Sequence, residues 1–184
     1  MTDFQLHTTE TAPTAAKPLL DKSQQAFGMV PNLHAVMAES PALLDGYQQL
    51  HSLAQQTAFT AEELTVVWQA INVEHACHYC VPAHTGIAHS MKVSQEVIDA
   101  LRNETALPTD KLNVLRDTTL EILRERGALS EAQKQAFFAA GFAAQHVLDI
   151  ILILAQKVMS NYVNHIAETP LDKPFQAFDW QKKA

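Results

Sequence analysis

The chain has 184 residues, and its 13 Lys+Arg against 20 Asp+Glu leave a formal charge of −7, the wrong sign for a nucleic-acid or anionic-lipid surface. At 47% hydrophobic and 18% charged, it can bury the core of one domain and does not read as disordered. No Lys/Arg-led apolar leader opens it, and its longest apolar run, Val147 to Ala155, is too short to span a bilayer and carries Asp149, so a cytoplasmic protein is expected.

Residues 1–20, rich in Thr, Ala and Pro, read as an N-terminal arm or a frayed start, leaving 21–184 for a single domain. Gly28 and Pro31 break the chain, and a short helix is expected after Asn32. Pro41 fits the first turn of a helix to about Ala58, because its missing N–H would be unpaired there anyway. Thr60 with Glu63 forms a capping box that opens a helix to about Val73. Further starts stand at Ser94, at Pro108-Thr109-Asp110 and at Ser130, where Gln133 completes a second box; Gly127 fits a helix stop. Residues 144–165 form the longest helix, apolar on nearly every side, as a central or interface helix would be. His146 and Asp149 within it read as a buried pair or a second proton-transfer pair, and Asn161, Asn164 and His165 as pocket or subunit-contact residues. Strand-like alternation is scarce, so the chain is all-α, with seven or eight helices.

The two cysteines fall in one segment, Glu74-His75-Ala76-Cys77-His78-Tyr79-Cys80-Val81-Pro82-Ala83-His84. Pro82 is incompatible with one uninterrupted helix, so a break is expected near Ala76 to Tyr79, with a new helix starting there. A Cys-x-x-Cys at a helix N-terminus favours thiolate, because free N–H groups and the dipole stabilise negative charge. One sulfur can attack an oxidant while the other closes a disulfide. His84, four residues after Cys80, is placed to take its proton, and Glu74 to orient or recharge the imidazole. A zinc shell of Cys77, Cys80 and His84 with His75, His78 or His89 is an alternative, and so are two inert buried cysteines. His7, His34 and His51 have no evident partner.

Phe59 to Glu63, followed by Cys77-x-x-Cys80 and His84, resembles the core of the alkylhydroperoxidase D-like (AhpD-like) proteins of the carboxymuconolactone decarboxylase superfamily, over about residues 40–105. Phe27 to Pro41, Ala140 to Asp149 and Met159 to His165 resemble its peroxidase-related long-chain branch. The resemblance implies an all-α fold, trimers or hexamers, and reduction of hydroperoxides by a dithiol that an external dithiol regenerates. No organic cofactor is implied, since the sulfurs hold both electrons. Cys80 matches the cysteine that meets peroxide, Cys77 its resolving partner and His84 the relay histidine. The relay glutamate's position, twelve before the first cysteine, holds Thr65, which leaves Glu74 as the substitute. The rival functions are a non-redox lactone decarboxylase-type reaction and a zinc-binding or redox-switch interaction protein.

Overall fold

The computed structural model describes residues 4–182. Nine α-helices and no strands occur among them: α1 Lys17–Phe27, α2 Asn32–Met37, α3 Pro41–Ala54, α4 Ala61–Glu74, α5 Cys80–Ser90, α6 Gln95–Asn103, α7 Asp110–Arg124, α8 Glu131–Ala139 and α9 Ala144–Ala167. Local chemistry sets most starts. Thr60 and Glu63 make the reciprocal capping box of α4, and Ser94, Thr109 and Ser130 cap α6, α7 and α8 through their hydroxyls. The start of α9 is different, because His146 Nδ1 accepts the Ala143 amide at 3.0 Å. Asp149 accepts from the Ala58 amide at 3.1 Å. The two side chains are each committed to backbone, so they do not form the mutual pair expected from their spacing.

The core has two parts. One joins α4 and α6–α9 around Trp68, Ile71, Leu115, Phe137 and Ile153; the other joins α1–α3 around Leu20, Met37, Leu44 and the cysteine segment. Helix α4 crosses between them and is buried on every side from Glu63 to Val73. From His7 onward the arm is packed: Ala12 and Ala16 enter the second core, and the His7 amide donates to Ala35 O at 3.2 Å. Its first three residues lie outside the described part.

The C-terminal segment returns across the second core. Residues 168–182 carry a short 3₁₀ turn, Lys173–Phe178, lying on α5. Gly86 permits this approach, because a Cβ there would stand 2.8 Å from the Phe175 ring. Arg102 on α6 fastens the strap by donating to Phe178 O and Asp179 O at 3.0 and 3.1 Å. No single helix among the described residues is long and apolar enough to cross a membrane; α8 and α9 pass only as a pair bent by 112°.

Candidate active site

Helix α4 ends in a Schellman turn: the Cys77 amide donates to Asn72 O at 3.0 Å and the Ala76 amide to Val73 O at 2.9 Å. Ala76 takes the left-handed conformation this turn requires, at φ 51°. For a residue with a Cβ that costs about 1–2 kcal/mol. The expected break is therefore real, and Cys80 is the first residue of α5 with Pro82 in its first turn. The Cys80 amide, one of the unpaired donors of that turn, reaches Cys77 Sγ at 3.2 Å.

Both sulfurs are buried and unbonded to one another. Asn164 Nδ2 donates to Cys80 Sγ at 3.2 Å, with Cys77 Sγ at 4.0 Å. Burial by itself would push the Cys80 thiol up; the Cys77 thiol, the Lys157 ammonium and the Asn164 and Asn161 amides outweigh it and bring it down to about 5. Cys77 is pushed up, by burial first and then by the neighbouring Cys80. The Cys80 amide favours charge on Cys77, but one amide is weaker than an ammonium and further donors, so the thiolate belongs on Cys80.

His84 is brought to this cluster but not onto the sulfur. Its Nε2 lies 2.9 Å from Lys157 Nζ, its ring is 4.8 Å from that of Trp68, and Nδ1 has no hydrogen-bond partner among the described residues. Burial, then the Lys157 charge, pushes His84 well below the ordinary histidine range, so the ring is neutral. Glu74 is not brought there. It is the last residue of α4, and its carboxylate makes a bidentate pair with Arg124 of α7, both contacts at 2.7 Å. The expected support of His84 by Glu74 is thus corrected: α4 ends there, and the guanidinium of α7 claims both oxygens. Thr65, at the relay position, returns its hydroxyl to Ala61 O at 2.8 Å.

The remaining histidines have separate work. His75 Nδ1 meets Asn161 Oδ1 at 2.8 Å, His78 meets Thr169 O at 3.1 Å, and His89 stacks on Phe178. Among the described residues no group of three or more His, Cys, Asp or Glu is arranged to hold a metal ion, so the zinc shell expected as an alternative is not assembled. His34 is paired with Ser23, and His51 lies between Gln55 and Gln156. Burial holds both down to about 4, so both are neutral near pH 7. Tyr79, between the cysteines, donates to Asp172, which also accepts the Asn32 amide at 3.0 Å. That contact ties the C-terminal strap to α2 and to the start of α5.

Cys80, His84, Lys157, Tyr47 and His51 line a cavity of about 240 Å³ whose walls include Phe27, Met29, Leu33, Ile87 and Phe175. Cys77 is not among its lining, so Cys80 is the sulfur that a molecule in the cavity would meet. Lys157 is the participant that spacing around the cysteines missed. The signal lay in α9, where Lys157, Ser160, Asn161 and Asn164 recur at helical spacing inside an apolar context and are all fully buried. The helix is polar toward the site, while Leu148, Ile151, Tyr162 and Ile166 are exposed.

No protein-family model and no curated protein matches the sequence. Solved structures do match. An uncharacterized peroxidase-related protein from Ralstonia eutropha JMP134, described as an alkylhydroperoxidase AhpD core, is 20% identical, with 95% of this chain and 94% of that one covered and a TM-score of 0.83. An uncharacterized peroxidase-related protein from Silicibacter sp. TM1040 is 18% identical over 94% and 92% of the two chains, with a TM-score of 0.77. The debrominase Bmp8, solved with 2,3,4-tribromopyrrole, is 17% identical over 96% and 95%, with a TM-score of 0.72. The fold is therefore AhpD-like along nearly the whole chain.

Proposed function

We infer that the chain is a thiol-dependent peroxidase, with Cys80 as the attacking sulfur and Cys77 as the resolving one. One observation carries this reading: Cys80, stabilised as thiolate, lines a largely apolar cavity with a protonated Cys77 three residues before it. The peroxide's distal oxygen meets Cys80, the O–O bond breaks, and Cys80 becomes a sulfenic acid while an alcohol or water leaves. Cys77 then displaces water to form the disulfide, and an external dithiol returns both sulfurs to the reduced state. Two electrons pass per cycle, all of them through sulfur.

The rings of Phe27, Tyr47, Tyr79 and Phe175 around the cavity favour a second reading, reductive removal of halogen from a small aromatic ring. The electron count is the same: an aryl bromide and two thiols give the arene, the disulfide and hydrogen bromide. Consumption of cumene hydroperoxide, hydrogen peroxide and 2,3,4-tribromopyrrole with excess dithiothreitol decides between them. The peroxidase reading expects turnover of a hydroperoxide that Cys80→Ser abolishes and Cys77→Ser slows, because dithiothreitol must then reduce the sulfenic acid directly instead of a disulfide. Turnover of the bromopyrrole alone supports the second reading, and a Cys80→Ser protein as active as wild type removes both.

A further inference from the structure

We propose that Lys157 is the proton carrier of the dithiol cycle, an ammonium while Cys80 is a thiolate and a neutral amine once the Cys77–Cys80 disulfide has formed. This rests on the thiol-redox reading above and supplies the proton path that reading lacks. Lys157 has no exposed surface, and among the described residues its Nζ makes one hydrogen bond, to His84 Nε2 at 2.9 Å. Among the described residues no carboxylate pairs with it; the Cys80 thiolate, with Cys77 beside it, is what favours its charge against burial. A buried ammonium without a counter-ion costs several kcal/mol and gives up its proton instead. When the thiolate is consumed, the reason for the charge goes with it.

The surroundings offer no other carrier. The groups facing Lys157 are His84 from α5, His51 and Tyr47 from α3, and the two sulfurs; burial keeps both rings neutral and the phenol protonated. Asp172 is held by Tyr79 and the Asn32 amide, Glu74 by Arg124, and position 65 has no carboxylate. Lys157 and Cys80 line the same cavity, so the ammonium stands where a leaving alkoxide would form. His84, with Nε2 accepting, is a positioning residue that aims the ammonium.

The steps balance. The Cys80 thiolate attacks the distal oxygen, an S–O bond forms, the O–O bond breaks, and the Lys157 proton passes to the departing alkoxide. The products are a sulfenic acid, an alcohol and a neutral amine. Cys77 S–H then meets the sulfenic acid, the S–S bond forms, and the thiol proton leaves in the water released. When an external dithiol reduces the disulfide, it brings two hydrogens, and the one on Cys80 returns to Lys157. No proton is drawn from solvent in the oxidative half.

That count is the test. Reduced protein in weak buffer with a pH indicator is mixed with one equivalent of cumene hydroperoxide and, in parallel, of diamide, which oxidises dithiols without an O–O bond. The diamide arm reads Lys157 independently of whether peroxide is the substrate. The expected result at neutral pH is thiolate ultraviolet absorbance before oxidation and close to zero protons consumed per disulfide formed. One proton consumed per disulfide makes Lys157 a spectator charge and overturns the proposal, as does absence of thiolate absorbance. Lys157→Met should lose the neutral-pH thiolate; retention of it contradicts the proposal. Lys157→Arg, whose charge does not come off, should keep the thiolate but consume one proton per disulfide. An arginine protein with the wild-type count is a contrary result. Where either variant fails to fold, the wild-type count decides alone.

Discussion

With the Cys80 thiol brought down to about 5, its alkylation by iodoacetamide should be independent of pH above about pH 6 and fall about tenfold per unit in acid. His84→Ala leaves the Lys157 ammonium without its hydrogen-bond acceptor, so the thiolate plateau should shift to higher pH and peroxide turnover at neutral pH should fall with it. A profile identical to wild type would remove His84 from the site. Glu74→Gln belongs to a different class. It breaks the pair with Arg124, both partly exposed, and should leave turnover unchanged while costing under about 1 kcal/mol of stability. Hydrogen bonding to Arg124 holds the Glu74 carboxyl below its ordinary 4.5, so that stability is complete above 4.5 and lost as pH falls through the lower folded value. Urea melts at neutral pH and in acid should therefore show the difference from wild type disappearing in acid. These residues mark what the sequence could disclose. Cys77, Cys80 and His84 are close in the chain, and helix geometry alone brings them near one another. Lys157 reaches them from 73 positions beyond His84. Glu74, close in sequence, is turned outward by a contact with α7 that no local pattern encodes.

The break between α4 and α5 is the element on which the site depends, and it was legible, because Pro82 fits only an early turn. What sequence could not disclose is how the break is made, with a non-glycine residue in the left-handed region. Ala76→Gly should relieve that strain and raise stability by up to about 1 kcal/mol in thermal or urea melts, the gain reduced by the freer unfolded chain. The strap was not foreseen at all, since residues 168–182 have little periodicity and are held by remote contacts: Asp172 with Tyr79, and Arg102 with two backbone carbonyls. Gly86→Ala drives a Cβ to 2.8 Å from the Phe175 ring, so the strap must shift. A cost of about 1–3 kcal/mol is expected from such overpacking. Phe175→Ala removes one wall of the cavity without disturbing the other ties. It should speed labelling of Cys80 by a bulky maleimide, read by mass spectrometry, more than labelling by iodoacetamide. Equal acceleration of both reagents would point to general loosening instead of an opened cavity wall.

At the scale of the whole molecule, α9 presents a problem of exposed apolar surface. Its inner face buries Ile150 and Ile153 in the core and Lys157, Asn161 and Asn164 at the site, while four further apolar residues point outward: Leu148 is 66% exposed, Ile151 49%, Tyr162 53% and Ile166 67%. Scattered single exposures are ordinary, but four large side chains spaced along one helix form the kind of patch that marks a contact with another surface. An apolar helix with partners on more than one side was the sequence-based expectation; the structure has apolar residues on both the inner and the outer face and adds a buried polar cluster around Lys157 that faces the site. The same residues on every copy make a self-complementary contact the economical solution, and closed rotational symmetry would bury the stripe on each protomer equally. The prediction is that the chain runs as an oligomer heavier than its 20.4 kDa protomer in light scattering at micromolar concentration, with a trimer-based mass the form implied by the resemblance. Leu148→Glu combined with Ile166→Glu should place like charges in that contact, desolvate them on association, and yield a monomer. Because α9 also carries Lys157 and Asn164, loss of the outer support should be felt inside: the monomeric variant should lose peroxide turnover in proportion to its lowered melting temperature, and recover part of it with increasing protein concentration. A wild-type chain that is monomeric at micromolar concentration would defeat the interface. A double variant that becomes monomeric with full activity would keep the interface but uncouple it from the site.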